Sequence, residues 1–242
     1  MNSKHIDTDS VRNLYNSMNE IWPKNDKWYQ YTYGEIHNFL KKYEKKLSLN
    51  SSTLILNAGS GGNSYGITGI HTHVDISERH LQGVDNTILA SVENLPIPDE
   101  QYDICICVGS VINYCDAFVA IAEMQRVLKK KGFLILDFDQ SRNYEFLGTD
   151  TYNSDLDIIE TFNSGYIDKI WVYSEKYIDK LLNHNGLKTI DKKYYHNLSC
   201  LAYRIFKDEQ KAAKYACVDK LMRFIPKAKK ISNNIILIAQ KF

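Results

Sequence analysis

Short apolar runs separated by amphipathic stretches predict alternating strands and helices from residue 53 onward. The run Ile104–Val108 is apolar throughout, which is typical of a central parallel strand buried on both faces. Strands that alternate with helices predict a doubly wound α/β fold around a mostly parallel sheet. The predicted strands of this part are Thr53–Asn57, His71–Ile76, Thr87–Ala90, Ile104–Val108 and Phe133–Phe138.

One helix between the fourth and fifth runs has predictable ends. Asp116 is placed to cap its first turn, and Lys129–Lys131 followed by Gly132 are typical of its last turn and its stop. The helical spacing predicts that its buried stripe consists of Phe118, Ile121, Met124 and Leu128.

Residues 1–50 form a polar segment that is rich in aromatic side chains. Apolar residues at helical spacing predict one helix over residues 11–18, capped by Asp9 or Ser10, and a second over residues 36–47. An aromatic group precedes the second helix, and it either packs in the core or forms a lid over the glycine loop described below. This group comprises Trp28, Tyr29, Tyr31 and Tyr33.

The alternation changes after Phe138. Apolar runs over residues 158–163 and 166–173 flank Ser164-Gly165, which is typical of a hairpin turn. A helix capped by Ser174 and a strand over residues 187–195 follow. Residues 198–230 are expected to be helical and carry nine Lys or Arg against three acids. The chain ends in two strands, the last over residues 234–240, with no crossover helix after the last, so these two strands are expected to pair antiparallel.

A glycine-rich loop follows the first predicted strand, with Gly59, Gly61 and Gly62 after the apolar run Leu54–Leu56. Glycine lets the backbone approach a ligand closely, and ligands of open α/β sheets bind beyond the carboxyl ends of the strands. No Gly-Lys-Ser/Thr follows, so a P-loop is excluded. The chain also reaches Asp75 too soon for the long helix that a dinucleotide fingerprint requires.

Polar groups at the ends of the next strands extend this candidate site. Asp75 ends the second strand, where its carboxylate can accept hydrogen bonds from both hydroxyls of a ribose. A ligand lying across the strand ends would then meet Ser91-Val92-Glu93 and Val108-Gly109-Ser110. The order of these groups predicts a nucleoside-binding site.

Four stretches of the chain resemble class I S-adenosylmethionine-dependent methyltransferases of the bacterial small-molecule type. The resemblance implies a Rossmann-like, seven-stranded, mostly parallel sheet with an antiparallel last strand and helices on both faces. It also implies that S-adenosyl-L-methionine is the cofactor. The matching stretches are LILNAGSGG (54–62), HVDIS (73–77), ASVENLPIPDEQYDICICVGSV (90–111) and EMQRVLKKKGFLILDF (123–138).

The resemblance assigns roles to several residues by position. It implies that Gly59 and Gly61 lie against the methionine part of the cofactor and that Asp75 binds the ribose. It further implies that Ile76 packs on the adenine, that the backbone N–H of Val92 reaches the adenine ring, and that the carbonyl of Val108 reaches the ammonium. The cofactor-binding set predicted in this way is Asn57, Gly59, Ser60, Gly61, Asp75, Ile76, Ser91, Val92, Glu93, Val108 and Ser110.

Two members of this set depart from the family pattern. Asn57 and Ser91 stand where the family usually has acids, so their hydrogen bonds lack charge and cofactor affinity is expected to be lower. Glu93 or Asn94 is placed to compensate.

Methyl transfer from a sulfonium is an in-line displacement, to which an enzyme contributes mainly by positioning the nucleophile. A general base is needed only where the nucleophile arrives protonated, so no fixed catalytic residue is predicted. The candidates near the expected pocket are Tyr31, Tyr33, His37, Asn113 and Tyr114.

Composition narrows the choice of acceptor. The 242 residues carry a net charge of +1, which favours a small-molecule acceptor over an acidic surface. A methyltransferase acting on RNA or protein through residues 198–230, and a cofactor-binding protein without catalysis, remain alternatives. The expected organisation is a lid (1–50) and a methyltransferase domain (51–242) with cap insertions at about 140–173 and 197–230.

The five cysteines bear on metal binding, and the start of the chain bears on membrane attachment and location. No Cys/His group has zinc spacing, so no metal site is expected. The start of the chain lacks an apolar signal core, and no run of about eighteen apolar residues occurs. We therefore expect a cytoplasmic protein that is not anchored to a membrane.

Overall fold

A computed structural model describes residues 6–163, 166–222, 225, 228 and 230–242, apart from the side chains of residues 162, 163, 166, 167 and 220. The strands are β1 (Leu54–Ala58), β2 (Ile70–Asp75), β3 (Thr87–Leu89), β4 (Tyr102–Cys107), β5 (Leu128–Asp139), β6 (Leu156–Asn163), β7 (Tyr166–Tyr173), β8 (Leu187–Tyr195) and β9 (Asn234–Lys241). The helices are α1 (Thr8–Ser17), α2 (Lys27–Lys46), α3 (Glu78–Leu81), α4 (Ala117–Val127), α5 (Glu175–His184), α6 (Leu198–Phe206), α7 (Glu209–Ala212) and α8 (Ala216–Met222). Short 3-10 turns lie at Val111–Tyr114 and Ala213–Tyr215.

Seven strands form one sheet in the order β3-β2-β1-β4-β5-β9-β8. Strands β1 to β5 pair in parallel, whereas β9 runs antiparallel to both of its neighbours, β5 and β8. The predicted Rossmann-like sheet with an antiparallel last strand is therefore confirmed. The strand order reverses direction at β1 and β4, and open α/β sheets bind their ligands at such a switch point.

Apolar layers cover both faces of the sheet. Ile121 and Met124 of α4 and Ile178 of α5 are fully buried against one face. On the other face, Ile36 and Phe39 of α2 are at most 2% exposed. Burial of side chains of this size stabilises a fold by roughly 1.5–3 kcal/mol each. The prediction of helices on both faces is confirmed, with α2 as the helix that covers the second face.

Three predicted helix ends are wrong. Helix α2 begins at Lys27 instead of residue 36, so the aromatic group at residues 28–33 lies inside the helix and not before it. Helix α1 is capped by Asp7, whose side chain accepts hydrogen bonds from the backbone N–H groups of Asp9 and Ser10. Those two residues are inside the first turn, so they supply the donors that a cap must satisfy. Helix α4 is capped by Asp116 as predicted, but it ends at Val127 because Leu128 takes extended backbone and begins β5.

The predicted stripe of α4 changes for the same reason. Leu128 is buried as a strand residue, and Lys129–Lys131 belong to β5 instead of the last helical turn. Phe118 is 48% exposed, since the helix turns this position away from the sheet. Ile121 and Met124 keep their predicted burial.

Strands β6 and β7 form a separate antiparallel hairpin, as the sequence predicts. The predicted Ser164-Gly165 turn lies outside the described residues. The buried side chain of Asn113 connects this hairpin to the sheet: its Nδ2 donates to the carbonyls of Trp171, at 2.6 Å, and Asp139, at 3.0 Å. The hairpin is thereby held beside the carboxyl end of β5.

The predicted helical character of residues 198–230 is found in α6, α7 and α8. Arg223, Lys227 and Lys229 of the predicted basic set lie outside the described residues. No helix in the described part of the chain has the length and apolar character needed to cross a membrane.

A buried carboxylate, that of Asp137 in β5, supports the loop that follows β4. It accepts hydrogen bonds from the backbone N–H groups of Gly109 at 3.0 Å and Ser110 at 3.2 Å, and from the Tyr195 hydroxyl at 2.6 Å. Burial raises its pKa from 3.8 to about 7, although these hydrogen bonds favour the charged form.

Replacing Asp137 by Asn should change how stability depends on pH. The folded protein holds a proton on Asp137 that the unfolded chain releases between about pH 4 and pH 7, so this residue's contribution to stability falls as pH rises through that range. Relative to the Asp137→Asn variant, the wild type should lose up to about 1.4 kcal/mol of unfolding free energy per pH unit. Urea denaturation at several pH values measures this difference.

Asp191→Asn is the matched control, because hydrogen bonds from Lys42 and Tyr43 lower the pKa of Asp191 despite its partial burial. The contribution of Asp191 to the free energy of unfolding therefore changes with pH only at and below the ordinary range of carboxyl pKa values. A wild-type advantage over Asp137→Asn that stays constant with pH would contradict the buried-carboxylate interpretation.

Candidate functional site

A cleft lies beyond the carboxyl ends of β1, β2, β3 and β4, and it encloses about 730 Å³ of space when the solvent at its open side is included. We call it the first cavity. Most of the residues predicted to bind the cofactor line it, which brings four separate parts of the sequence together. These lining residues are Gly59, Ser60, Gly61, Asp75, Ile76, Ser91, Val92, Glu93 and Val108.

The carboxylate of Asp75 shapes one wall of this cavity. One oxygen accepts a hydrogen bond from the backbone N–H of Gly61 and the other from that of Ser77, both at 2.8 Å. Burial raises its pKa, and these two hydrogen bonds oppose that rise. Each carboxylate oxygen has a further acceptor position, so the group keeps the capacity to receive two hydroxyl donors.

The glycine loop requires the absence of side chains at two positions. Gly59 and Gly61 have positive φ angles of 69° and 51°. A Cβ on Gly59 would overlap Cγ1 of Val111, and one on Gly61 would overlap Cδ1 of Ile21. The loop is therefore packed under a residue of the N-terminal segment.

Ser91 and Glu93 interact with each other at the end of β3. The Ser91 hydroxyl donates to Glu93 Oε2 at 3.3 Å and accepts from the Glu93 N–H at 3.2 Å. The other carboxylate oxygen of Glu93 accepts from the backbone N–H of Asp116 at 2.7 Å, which links this wall to the start of α4. An acidic group is thus present beside Ser91 although position 91 itself is uncharged.

Two residues of the predicted cofactor set lie elsewhere. Asn57 is buried in β1, where its Nδ2 lies 2.8 Å from Nδ1 of His71, whose Nε2 donates to the carbonyl of Ile67. Ser110 takes a left-handed conformation, and its hydroxyl donates to Asp139 at 2.7 Å, next to a second cavity. Neither residue is among those lining the first cavity.

The N-terminal segment forms the roof of the first cavity. Trp22 makes edge-to-face contacts with Tyr33 and Tyr65, and burial of the Tyr65 phenol raises its pKa above the ordinary value. Sequence reasoning missed these lining residues, although the aromatic content of the segment was a signal for them. The roof residues are Thr8, Val11, Tyr15, Ile21 and Trp22.

A second cavity adjoins the first, and it encloses about 1550 Å³ of space when the solvent at its open side is included. Its walls come from α1 and α2, the end of β5, the β6–β7 hairpin, α6 and α7. The two cavities share a group of wall residues, so they adjoin at this junction. The shared residues are Tyr15, Ile21, Trp22, Gly109 and Tyr114.

Tyr114 is the catalytic candidate that lines both cavities. Its ring meets that of Tyr15 edge to face, with centroids 5.6 Å apart. Burial, and then the charges of Tyr15 and Asp168, raise the pKa of Tyr114 well above its usual value. The phenol is therefore protonated near neutral pH and can donate a hydrogen bond at the junction, but it cannot act there as a base.

The other four candidates lie away from the walls of both cavities. Asn113 is held by the backbone contacts described above. Tyr33 stacks between His37 and Tyr65, with centroid distances of 6.1 and 5.5 Å. Tyr31 meets the ring of His196 edge to face at 4.9 Å, and burial raises its pKa. Of these side chains, Tyr33 contacts the roof residue Trp22.

His196 holds α2 beside the second cavity. Its ring stacks on Trp28 with centroids 3.7 Å apart, and its nitrogens lie 2.9 Å from the hydroxyls of Thr32 and Ser199. Burial lowers its pKa to about 3, so the imidazole is neutral near pH 7. Because Trp28 and Thr32 line the second cavity, this contact fixes one of its walls.

Four carboxylates line the second cavity, of which Glu160 is exposed and the other three, Asp139, Glu145 and Glu209, are partly buried. Burial raises the pKa of Asp139 to about 6, against the hydrogen bonds from Ser110 and Asn234. Burial also raises the pKa of Glu145, and it raises that of Glu209 to about 7 together with the charges of neighbouring acids. All three groups line the space that adjoins the first cavity.

A comparison with known families matches the part of the chain that forms most of the first cavity. Residues 50–136 match the family described as Methyltransferase domain. This range contains the glycine loop, Asp75 and the ends of β3 and β4. A search of curated proteins finds no match.

Solved structures share the fold of the chain at low sequence identity. A 1,6-didemethyltoxoflavin-N1-methyltransferase from Burkholderia thailandensis, solved with S-adenosylhomocysteine bound, has a TM-score of 0.56 and 12% identity, covering 96% of this chain and 86% of that one. An S-adenosylmethionine-dependent methyltransferase from Clostridium acetobutylicum has a TM-score of 0.54 and 15% identity, covering 96% and 98%. The cyclase SpnF has a TM-score of 0.56 and 17% identity, covering 85% and 80%.

Replacing Gly61 by Ala should disturb the first cavity, whereas Gly66→Ala should not. Both positions have positive φ, at 51° and 62°, so both variants carry a backbone penalty of about 1 kcal/mol. Only the methyl group added at position 61 would collide, because Ile21 must move away, while nothing lies within 4 Å of a methyl group at position 66. Gly61→Ala should therefore weaken S-adenosylhomocysteine binding, measured by calorimetry.

Urea denaturation provides the control for stability in both variants. Equal losses of ligand affinity in Gly61→Ala and Gly66→Ala would show that backbone strain, and not the contact with Ile21, controls the loop.

Proposed function

Residues 50–136 form a class I S-adenosylmethionine-dependent methyltransferase domain, and from this premise we propose that the protein methylates a small-molecule acceptor. S-adenosylmethionine, when bound, supplies an electrophilic methyl group on a sulfonium. The observation that carries the proposal is that the two cavities adjoin, with Gly109 and Tyr114 in the walls of both. One space suits the methyl donor, and the other suits an acceptor on the far side of the same junction.

The residues of the first cavity fit a nucleoside with a polar tail. Asp75 has free acceptor positions for ribose hydroxyls, and the apolar side chains of Ile76 and Val92 suit the faces of an adenine ring. Gly59 and Gly61 leave room for close approach of the backbone to the amino-acid part. We propose that these residues hold the cofactor, together with Ser91 and Glu93 at the adenine edge.

In this proposal, Asn57 and Ser110 do not contact the cofactor but hold other groups in place. Asn57 fixes the end of β1 through His71, and Ser110 positions Asp139 beside the second cavity. The absence of an acid at position 57 therefore removes no direct wall contact from the cofactor cavity.

The second cavity supports a small molecule over RNA. Among the described residues, no Lys or Arg lines either cavity, so a phosphate backbone would find no counter-charge near the junction. The basic segment at 198–230 instead contributes Cys200, Tyr203 and Glu209 to the wall. We propose residues 1–50 as a lid and about 140–173 and 197–230 as cap insertions that enclose the acceptor.

A reducing, cytoplasmic location is also proposed. All five cysteines are free, and four of them are buried. Disulfides are rare in compartments where thiols are kept reduced.

The binding test of this function is a titration with S-adenosylmethionine and S-adenosylhomocysteine followed by thermal unfolding. Asp75→Asn should weaken binding by about 1–3 kcal/mol, since a charged acceptor is lost from the wall of the first cavity. Asp85→Asn is the matched control, because Asp85 is an exposed acid in the loop after α3. Methyl transfer itself is tested by S-adenosylhomocysteine release across a metabolite pool.

The outcomes separate the alternatives. Unchanged affinity in Asp75→Asn would show that the ribose lies elsewhere. Binding of the cofactor without product release in any pool would support the non-catalytic alternative. If release of S-adenosylhomocysteine required RNA and fell steeply with salt, the acceptor would be a nucleic acid and not a small molecule.

The proposed lid is fastened to the cofactor cavity near Asp75. The side chain of Asn16 accepts a hydrogen bond from the Ser77 hydroxyl at 2.7 Å. The backbone carbonyl of Asn16 accepts one from the Arg79 side chain at 3.1 Å. His80 donates to the carbonyl of Tyr15 at 2.9 Å. Ser77 also donates its N–H to Asp75, so ribose binding and lid closure share one connected set of groups.

Replacing Asn16 by Ala should speed the release of bound S-adenosylhomocysteine. Loss of one hydrogen bond of about 1 kcal/mol corresponds to roughly a fivefold faster dissociation. Stopped-flow fluorescence of Trp22, which lies in the cavity roof, follows the release. Arg12→Ala is the control on the same helix, since Arg12 pairs with Asp9 of α1. Equal release rates in the two variants would contradict a fastened lid.

A further inference from the structure

We propose that the methyl acceptor is a primary amine that carries a positive charge when it enters the second cavity. The inference rests on the proposed function, because it assigns the substrate class of the same site. It is carried by the wall of the cavity next to the junction, which joins three carboxylates with aromatic faces.

Among the described residues, the wall of the second cavity contains acidic side chains but no Lys or Arg. Asp139, Glu145 and Glu209 line it, and no Lys or Arg does so within the described part of the chain. Glu160 lies at its exposed rim, where its carboxylate is 3.7 Å from the ammonium of Lys169. The three inner carboxylates therefore set the charge that an acceptor would meet.

These carboxylates are not neutralised by ion pairs among the described residues. Asp139 accepts hydrogen bonds from the uncharged groups of Ser110 and Asn234. Lys207 acts on Glu145 from a distance and lowers its pKa slightly against the effect of burial, while its ammonium lies over the ring of Tyr203 at 5.6 Å.

The acids also repel one another. The charge of Glu145 opposes ionisation of both Asp139 and Glu209, so the three groups lie within electrostatic range. A cation among them would remove this repulsion and compensate for their burial. The described residues offer no group of three or more His, Cys, Asp or Glu side chains arranged to hold a metal ion. An organic cation is therefore the charge that the wall fits.

Aromatic walls favour the same class of ligand. Trp28 and Tyr203 line the cavity with their centroids 6.0 Å apart, and Tyr29 and Phe146 are further wall residues. The faces of aromatic rings attract ammonium groups, and they also accommodate an alkyl chain. An alkylamine would place its charge near the carboxylates and its chain against these rings.

In methyl transfer to such an acceptor, every proton and bonding electron pair is accounted for at the junction. The amine first gives one proton to Asp139, the carboxylate that adjoins Ser110 and the shared wall. The freed nitrogen lone pair then forms the new N–C bond as the C–S bond breaks, and the bonding pair stays on sulfur. The products are a methylated ammonium and the thioether S-adenosylhomocysteine.

The test is a calorimetric titration of the protein saturated with S-adenosylhomocysteine, using butylamine and putrescine as probes. Butanol and succinate are the neutral and anionic counterparts. Both amines are expected to bind, and the two counterparts are not. Failure of either amine to bind, or equally tight binding of butanol or succinate, overturns the proposal.

Charge-neutral variants test the carboxylates directly. Glu145→Gln combined with Glu209→Gln should weaken putrescine binding by about tenfold or more, because charged hydrogen bonds are lost from the wall. S-adenosylhomocysteine affinity should not change, since neither residue lines the first cavity. Glu20→Gln makes the same chemical change at an exposed position outside both walls and should leave both affinities unchanged.

The two proposals fail in different ways. Absence of S-adenosylhomocysteine binding would overturn the proposed function, and the amine titration of the free protein would still test the second cavity. Binding of S-adenosylhomocysteine together with unchanged putrescine affinity in the double variant would overturn the amine assignment alone.

Discussion

The buried carboxylate of Asp137 is the constraint on which the arrangement of the site depends. Gly109 and Ser110 take successive left-handed conformations, with φ angles of 81° and 60°, and both direct their N–H groups at this carboxylate. The Tyr195 hydroxyl supplies the third donor from β8. A buried charge is tolerated where such donors surround it, and removing one partner leaves the charge exposed to the full desolvation penalty. The loop between the two cavities thus takes its shape from one strand residue beneath it.

Patterns that depend on local sequence were sufficient to predict the sheet. The apolar runs around Ile55, Val74 and Ile106 become parallel strands because both faces of those strands are covered. The resemblance then placed the glycine loop and Asp75 at one edge of the sheet. The errors lie at element ends, as with Leu128, where helix and strand patterns overlap in a single apolar residue.

The roof and the second cavity were beyond the reach of such patterns. Ile21 and Trp22 follow a short helix and have no periodicity that marks them as wall residues. Glu145, in the segment after β5, and Glu209, in α7, are far apart in sequence and yet line the same cavity. Since no single segment contains the second cavity, no motif could have predicted it.

The similarity to the cyclase SpnF shows that this fold also occurs in a protein named for a different reaction, so the walls of the acceptor space decide the chemistry. For an amine acceptor, methyl transfer moves positive charge from sulfur to nitrogen, and hence from the first cavity into the second. Glu145 and Glu209 lie on the side that gains this charge, while Asp139 holds the proton that the amine gave up. Preorganised carboxylates there favour the transition state as charge builds on nitrogen. With an anionic acceptor the same displacement would cancel charge, and these carboxylates would oppose binding of the acceptor from the start.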